Sequence, residues 1–155
     1  MIADVRMVCQ MVKQRFEDFW AAEKSITEDI FYGKSAHVHI YTFKEVGFVG
    51  EHCDGMAVTG EYNCRTGGMT FNFYLKGFGA VKRFCLGNNR HGDAGRYHEH
   101  LIQKDADSNL ASNLPYAISR DDLKQLEPEI TWRKICTEGK IVHTGVFKDP
   151  QEWCK

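Results

Sequence analysis

Apolar residues recur at steps of three and four over the first two dozen positions. Ile2, Val5, Cys9, Val12, Phe16 and Phe19/Trp20 form one stripe, while Asp4, Arg6, Lys13, Gln14, Glu17 and Lys24 hold much of the remaining surface. A period of about 3.6 residues puts such a stripe on one face, so residues 2–24 predict an amphipathic helix. Ser25 followed by Glu28 has the form of a capping box and predicts a short second helical turn through Tyr32, ended by Gly33. The period then changes. Eleven of the fourteen glycines fall between Gly47 and Gly95, separating short runs rich in aromatic and β-branched residues. Strands are predicted at 36–43, 56–62, 69–75, 80–86 and 97–103. Arg65-Thr66-Gly67-Gly68 and Lys76-Gly77-Phe78-Gly79 read as hairpin connections, which makes consecutive strands antiparallel neighbours. The run 69–75 alternates Met69, Phe71, Phe73 and Leu75 with Thr70, Asn72 and Tyr74, leaving one apolar face to receive the first helix.

Further on, Ser119-x-x-Asp122 has the pattern of a helix start, with Leu123, Leu126 and Ile130 following at helical steps. Pro128 is expected to kink or split that helix, leaving a segment through Ile135 that Gly139 stops. Ile141–Phe147 is expected to add an edge strand. The expected architecture is a single α+β domain over residues 1–155. Its N-terminal amphipathic helix packs on an antiparallel sheet of about five strands, with C-terminal helical segments.

Composition changes this picture little. A chain of 155 residues with 43% hydrophobic and 26% charged content is an ordinary globule, which excludes a disordered or fibrous class. No apolar run approaches the roughly 20 residues of a membrane span. The opening MIADVRMVCQMVKQ is interrupted by Asp4, Arg6 and Lys13 and does not read as a signal sequence, so a cytoplasmic protein without a membrane partner is expected. The six cysteines (Cys9, Cys53, Cys64, Cys85, Cys136 and Cys154) show neither a CxxC pair nor zinc-finger spacing. Cys9 on the helix stripe and Cys85 in a strand-like run suit small buried hydrophobes, so reduced thiols are expected rather than a disulfide framework. Charge is unevenly placed: residues 76–104 hold six basic and two acidic groups, and residues 105–129 hold two basic and six acidic. The two segments either pair or form faces of opposite sign, the second favouring an anionic ligand.

Candidate chemistry concentrates between Lys82 and Gln103. His91, His98 and His100 stand there with Arg83, Arg90 and Arg96 around a Gly/Asn loop, and Arg120 follows downstream. Histidine donates or accepts protons near neutral pH, and the arginine fork matches phosphate and carboxylate. In a strand, His98 and His100 project from one face about 6.6–6.8 Å apart along the chain, while Glu99 points the other way. His37 and His39 repeat the same two-residue step on another predicted strand, where Val38 and Ile40 would face the core.

The leading expectation is acid–base chemistry on a phosphate-bearing substrate, RNA or nucleotide. His98 and His100 would transfer protons, His91 would be an accessory donor, and Arg83, Arg90 and Arg96 would bind and balance the anion. The pattern Arg83, Asn88/Asn89, His91, His98-x-His100 followed by a helical C-terminal part resembles small toxins of bacterial toxin–antitoxin pairs, of the TumE-like kind. That resemblance, which covers about a sixth of the chain, implies a cytoplasmic toxin with an antitoxin as partner.

Other readings compete. As metal ligands, His98 and His100 would be completed by His91 or by the His37/His39 pair. Gly92-x5-His98-x-His100-x4-Asp105 resembles the first motif of the cupin family, in which two histidines and a glutamate hold metal. Here Asp105 stands in place of glutamate, Ser112 in place of a later glycine, and no second motif follows, so no metal or other cofactor is expected. Glycine loops of the Rossmann or P-loop type are also missing. Histidines in strands are often packing and hydrogen-bonding residues, and Cys85, Tyr97, Trp132 and Trp153 read as packing or interface positions. Phe71, Phe73, Tyr74, Phe78 and Phe84 among Lys76, Lys82 and Arg83 could stack nucleic-acid bases without catalysis. Finally, a sheet covered by one helix has a second face to cover, which favours a homo-oligomer or a pocket between subunits.

Overall fold

The structure, a computed structural model, describes residues 5–88, 92–102 and 117–154. The amphipathic stripe forms helix α1 (Val5–Ala21), which buries Cys9, Val12, Phe16 and Phe19. The expected second helical turn is replaced by two strands, β1 (Lys24–Ile26) and β2 (Ile30–Lys34). Ile26 and Ile30 are fully buried there, and the partners that hold both strands come from the far C-terminal part of the chain. Strands β3 (Ile40–Gly47), β4 (Met56–Asn63), β5 (Met69–Leu75), β6 (Gly79–Leu86), β7 (Tyr97–Leu101) and β8 (Ala117–Ser119) follow.

A single 3-10 turn at Asp121–Leu123 precedes helix α2 (Pro128–Glu138). Pro128 opens that helix instead of kinking it, because a missing N–H costs nothing in the first turn. The expected edge strand is two short ones, β9 (Ile141–His143) and β10 (Phe147–Lys148). They pair in parallel with β1 and β2 respectively.

The fold class is α+β, as expected, but the main sheet is larger than five strands. Among the described residues its eight strands run in the order β10-β2-β3-β4-β5-β6-β7-β8, antiparallel from β2 to β8. Alternation on β5 divides the two faces as the sequence suggests. Met69, Phe71, Phe73 and Leu75 lie in the core. Phe84 of β6 stands opposite Phe71, and Gly60 of β4 opposite Phe43 and Phe71. A Cβ on Gly60 would overlap the Phe43 ring, so glycine is what allows that ring to lie across the strand. Trp20 of α1 meets Phe73 edge-on at 5.3 Å and Trp132 of α2 stacks on Phe71 at 5.5 Å. Both helices therefore cover the same face. Phe71, Phe73 and Phe84 are fully buried beneath them, which removes these three as base-stacking surfaces. Trp132 is core, whereas Trp153 is half exposed.

Charge also enters this core. Glu99, between the two histidines of β7, points to the helical face and accepts from Lys82 Nζ at 2.5 Å and Arg120 Nη1 at 3.3 Å. Arg120 continues to Glu138 at 2.8 Å and Asp122 at 2.9 Å. The Lys82 ammonium lies about 5.1 Å from the ring centres of both Trp20 and Phe84.

One cysteine expectation is corrected. Cys64 and Cys154 form a disulfide with Cα atoms 5.3 Å apart, tying the connection after β4 to the C-terminal segment. The two residues are 90 apart in sequence, a proximity that spacing cannot reveal. Cys9, Cys53 and Cys136 are buried thiols and Cys85 is half-buried. Among the described residues, no helix is long and apolar enough to cross a membrane.

Candidate functional site

The register of β6 against β7 places Cys85 opposite His98 and Arg83 opposite His100. Because side chains alternate, all four project from the face opposite to Glu99, Phe84 and the helices. The next strand extends the patch, since Asn72 of β5 stands opposite Arg83 and Thr70 opposite Cys85. Thr59 and Glu61 of β4 and Thr42 of β3 continue it across the sheet. Together with Asn88 these residues line an open polar hollow of about 570 Å³. Its polar lining follows from the two-faced strands: the apolar halves of β5 and β6 took both helices, and the polar halves line the opposite face.

Hydrogen bonds hold the walls. Arg83 Nε donates to Asn72 Oδ1 at 3.2 Å. Asn88 Nδ2 donates to the Met69 carbonyl and to Thr70 Oγ1, each at 3.1 Å. His98 Nδ1 lies 2.9 Å from the Gly95 carbonyl oxygen. A carbonyl only accepts, so Nδ1 carries a proton in this contact. The two imidazoles meet edge to face with ring centres 4.9 Å apart. Both are largely buried, at 3% and 9% exposure, so their orientation is set by packing. Burial pushes the Cys85 thiol above its ordinary range, and the neighbouring Arg83 charge opposes that shift.

The arrangement combines a fixed cationic fork, neutral amide and hydroxyl groups, and two imidazoles on one surface. Cys85, His98 and His100 also bring one potential metal-ligand atom each to within 4.8 Å of one another.

Of the residues singled out in the sequence, Arg83, His98 and His100 are thus brought together. Arg96 is exposed in the turn before β7 and does not line the hollow. His91, Arg90 and Asn89 lie outside the described residues, as do Asp105 and Ser112 of the cupin-like pattern. The His37/His39 pair does not converge on the site. Residues 35–39 are not a strand, since β3 begins only at Ile40 and His39 has a φ of 69°. Val38, expected in the core, is 81% exposed. These two histidines line a separate hollow with Arg65, Trp153 and the Cys64–Cys154 bond.

Sequence reasoning missed Cys85 as a site residue, along with Asn72, Asn88 as a wall, and the row Thr42, Thr59, Glu61 and Thr70. The signal was present in the polar half of each alternating strand. Cys85 in particular sits two residues from Arg83 and so must share its face. No known protein family, curated protein or solved structure matches this chain.

Proposed function

We propose that the hollow binds a phosphate-bearing molecule, a nucleotide or an RNA phosphodiester, and that His98 and His100 exchange protons with it. The observation that supports this most is the shared face: Arg83, His98 and His100 line one open polar surface from which both helices are excluded. Arg83 would meet the anion with a guanidinium already oriented by Asn72, so little ordering remains to be done on binding. Two adjacent imidazoles can divide the roles of acid and base about a reacting oxygen. Among the residues that carry the likeness to TumE-like toxins, Arg83, Asn88, His98 and His100 all line the hollow, which supports the same reading. On that reading an antitoxin is the protein partner and the cytoplasm the compartment.

Calorimetry with inorganic phosphate, a nucleotide panel and a short RNA, followed by product analysis, tests the proposal. Arg83→Ala should weaken binding by about 10-fold or more, the scale of a lost hydrogen bond to a charged group. His98→Gln with His100→Gln keeps polar side chains in the imidazole positions and should abolish turnover while binding persists. Absence of any phosphate or nucleotide binding to the wild type, or undiminished turnover in the double variant, overturns the reading. Binding without turnover in the wild type makes the protein a non-catalytic ligand binder and removes the proton-transfer roles.

A further inference from the structure

We propose that Cys85, His98 and His100 form a site for one divalent transition-metal ion of the zinc type, with a further coordination position open to the hollow. This goes beyond the proposed function and rests on the hollow being an anion site: with the ion bound, His98 and His100 act as ligands in place of proton-exchange groups, Arg83 keeps its anion-binding role, and the test does not depend on phosphate.

Three observations converge. First, the ligand atoms of the three residues lie within 4.8 Å of one another. In a tetrahedral shell with bonds of about 2.0–2.3 Å, neighbouring ligands stand roughly 3.3–3.7 Å apart, so side-chain rotation of about 1 Å closes the set. Second, the backbone already fixes the spacing. Cys85 and His98 are directly paired across the β6–β7 ladder and His100 is two residues along the same face, so no loop must reorganise. Third, His98 donates its Nδ1 proton to the Gly95 carbonyl, so a neutral His98 ring would ligate through Nε2. Orientation of a ligating imidazole by a backbone carbonyl is the usual outer-shell device of metal sites.

The donor set selects the ion. A thiolate and two imidazoles suit zinc, copper, iron or nickel and discriminate against magnesium and calcium, which need oxygen ligands. Among the described residues three protein ligands stand on a surface that opens into about 570 Å³ of polar space, and three protein ligands with an open position are the pattern of reactive rather than purely structural sites. One thiolate leaves a divalent ion with net positive charge, and Arg83 adds to it beside the same surface. An anionic oxygen, from phosphate or hydroxide, is therefore the ligand favoured in the open position. Glu61 lines the same hollow and moderates that charge.

The test uses the full chain, freed of metal by chelation and kept without reductant so that Cys64–Cys154 stays closed. Titration with zinc(II) and cobalt(II) should give one ion per chain. The cobalt form should show a thiolate-to-cobalt charge-transfer band. That band should vanish in Cys85→Ser and in His98→Gln/His100→Gln, and persist in Cys9→Ser and Cys136→Ser, with near-ultraviolet dichroism reporting the fold of each variant. No uptake at micromolar cobalt, or a band that survives Cys85→Ser, overturns the metal site. Adding inorganic phosphate should shift the visible cobalt bands if the anion enters the open position. Cobalt uptake without phosphate binding sustains the metal site and removes the phosphate reading. Phosphate binding to a protein that takes up no ion does the reverse.

Discussion

Glu99 offers the sharpest test of how the sheet separates a site from a core. It lies between His98 and His100 yet faces the helices, where it neutralises a Lys82 side chain only 6% exposed. Replacing Glu99 by Ala leaves the Lys82 ammonium beneath α1 without its carboxylate, with Arg120 close by as a second positive charge. Removing one partner of a buried pair costs about 3–5 kcal/mol, most of it the burden of the charge left behind. For a domain of this size each kcal/mol moves Tm by about 2–4 °C, so a drop of roughly 6–20 °C is expected. Replacing both partners by apolar residues, Lys82→Met with Glu99→Leu, should cost less than Glu99→Ala alone, because no charge is stranded. Urea denaturation of the wild type, Lys82→Met, Glu99→Leu and the double variant gives the full cycle. A loss below about 1 kcal/mol for Glu99→Ala, or a double variant as damaged as the sum of the singles, would refute the assignment of Glu99 to a buried ion pair. Phosphate affinity per folded molecule should stay unchanged in Glu99→Ala, since the residue lies behind the hollow.

Two further outcomes follow from other parts of the fold. Opening the Cys64–Cys154 bond by Cys64→Ser with Cys154→Ser should lower stability by about 2–4 kcal/mol, since it closes a loop of 90 residues. Differential alkylation in intact cells reads the bond directly, and fully reduced Cys64 and Cys154 there would mean that the bond is not part of the working protein. Lys24 is buried, its ammonium 4.7 Å from the Phe19 ring centre and donating to the Trp20 and Gly139 carbonyls. Burial is the main cause that lowers its pKa to about 8 from 10.5. The folded value lies below the unfolded one, so between these limits the unfolded chain holds more protons and stability rises with pH. Burial raises the Tyr32, Cys85 and Cys136 values, which tilts the curve the other way, so the comparison is with Lys24→Met, where those contributions cancel. The stability difference, wild type minus variant, should grow from about pH 8 to about pH 10.5 in urea titrations, and a flat difference would rule out the buried lysine.

Much of the sheet was legible because its strands alternate cleanly. The 69–75 run is β5 with the expected faces, and the 56–62, 80–86 and 97–103 runs match β4, β6 and β7 apart from their ends. The failures share one cause. Ser25 and Glu28 carry a local helix signal, but Ile26 and Ile30 gain more by burial in strands whose partners, β9 and β10, lie over a hundred residues away. Residues 36–39 carry a local strand signal, but they make the turn into β3 and leave Val38 in solvent. In the candidate site, the pairing of His98 with His100 and the opposite direction of Glu99 needed only the two-residue period. Cys85 was read as packing because its importance lies in what stands across from it.

The amino-acid sequence alone determined which side chains travel together: the helix stripe, the apolar and polar halves of each strand, and the imidazole pair beside an arginine-bearing strand. These are properties of a period of two or of 3.6 residues, and so are local. Tertiary structure alone decided the register that puts Cys85 opposite His98, the placing of both helices on one face, and the meeting of Cys64 with Cys154. Each depends on contacts between segments far apart in the chain, where burial of the whole apolar surface, not the preference of any short run, selects the arrangement.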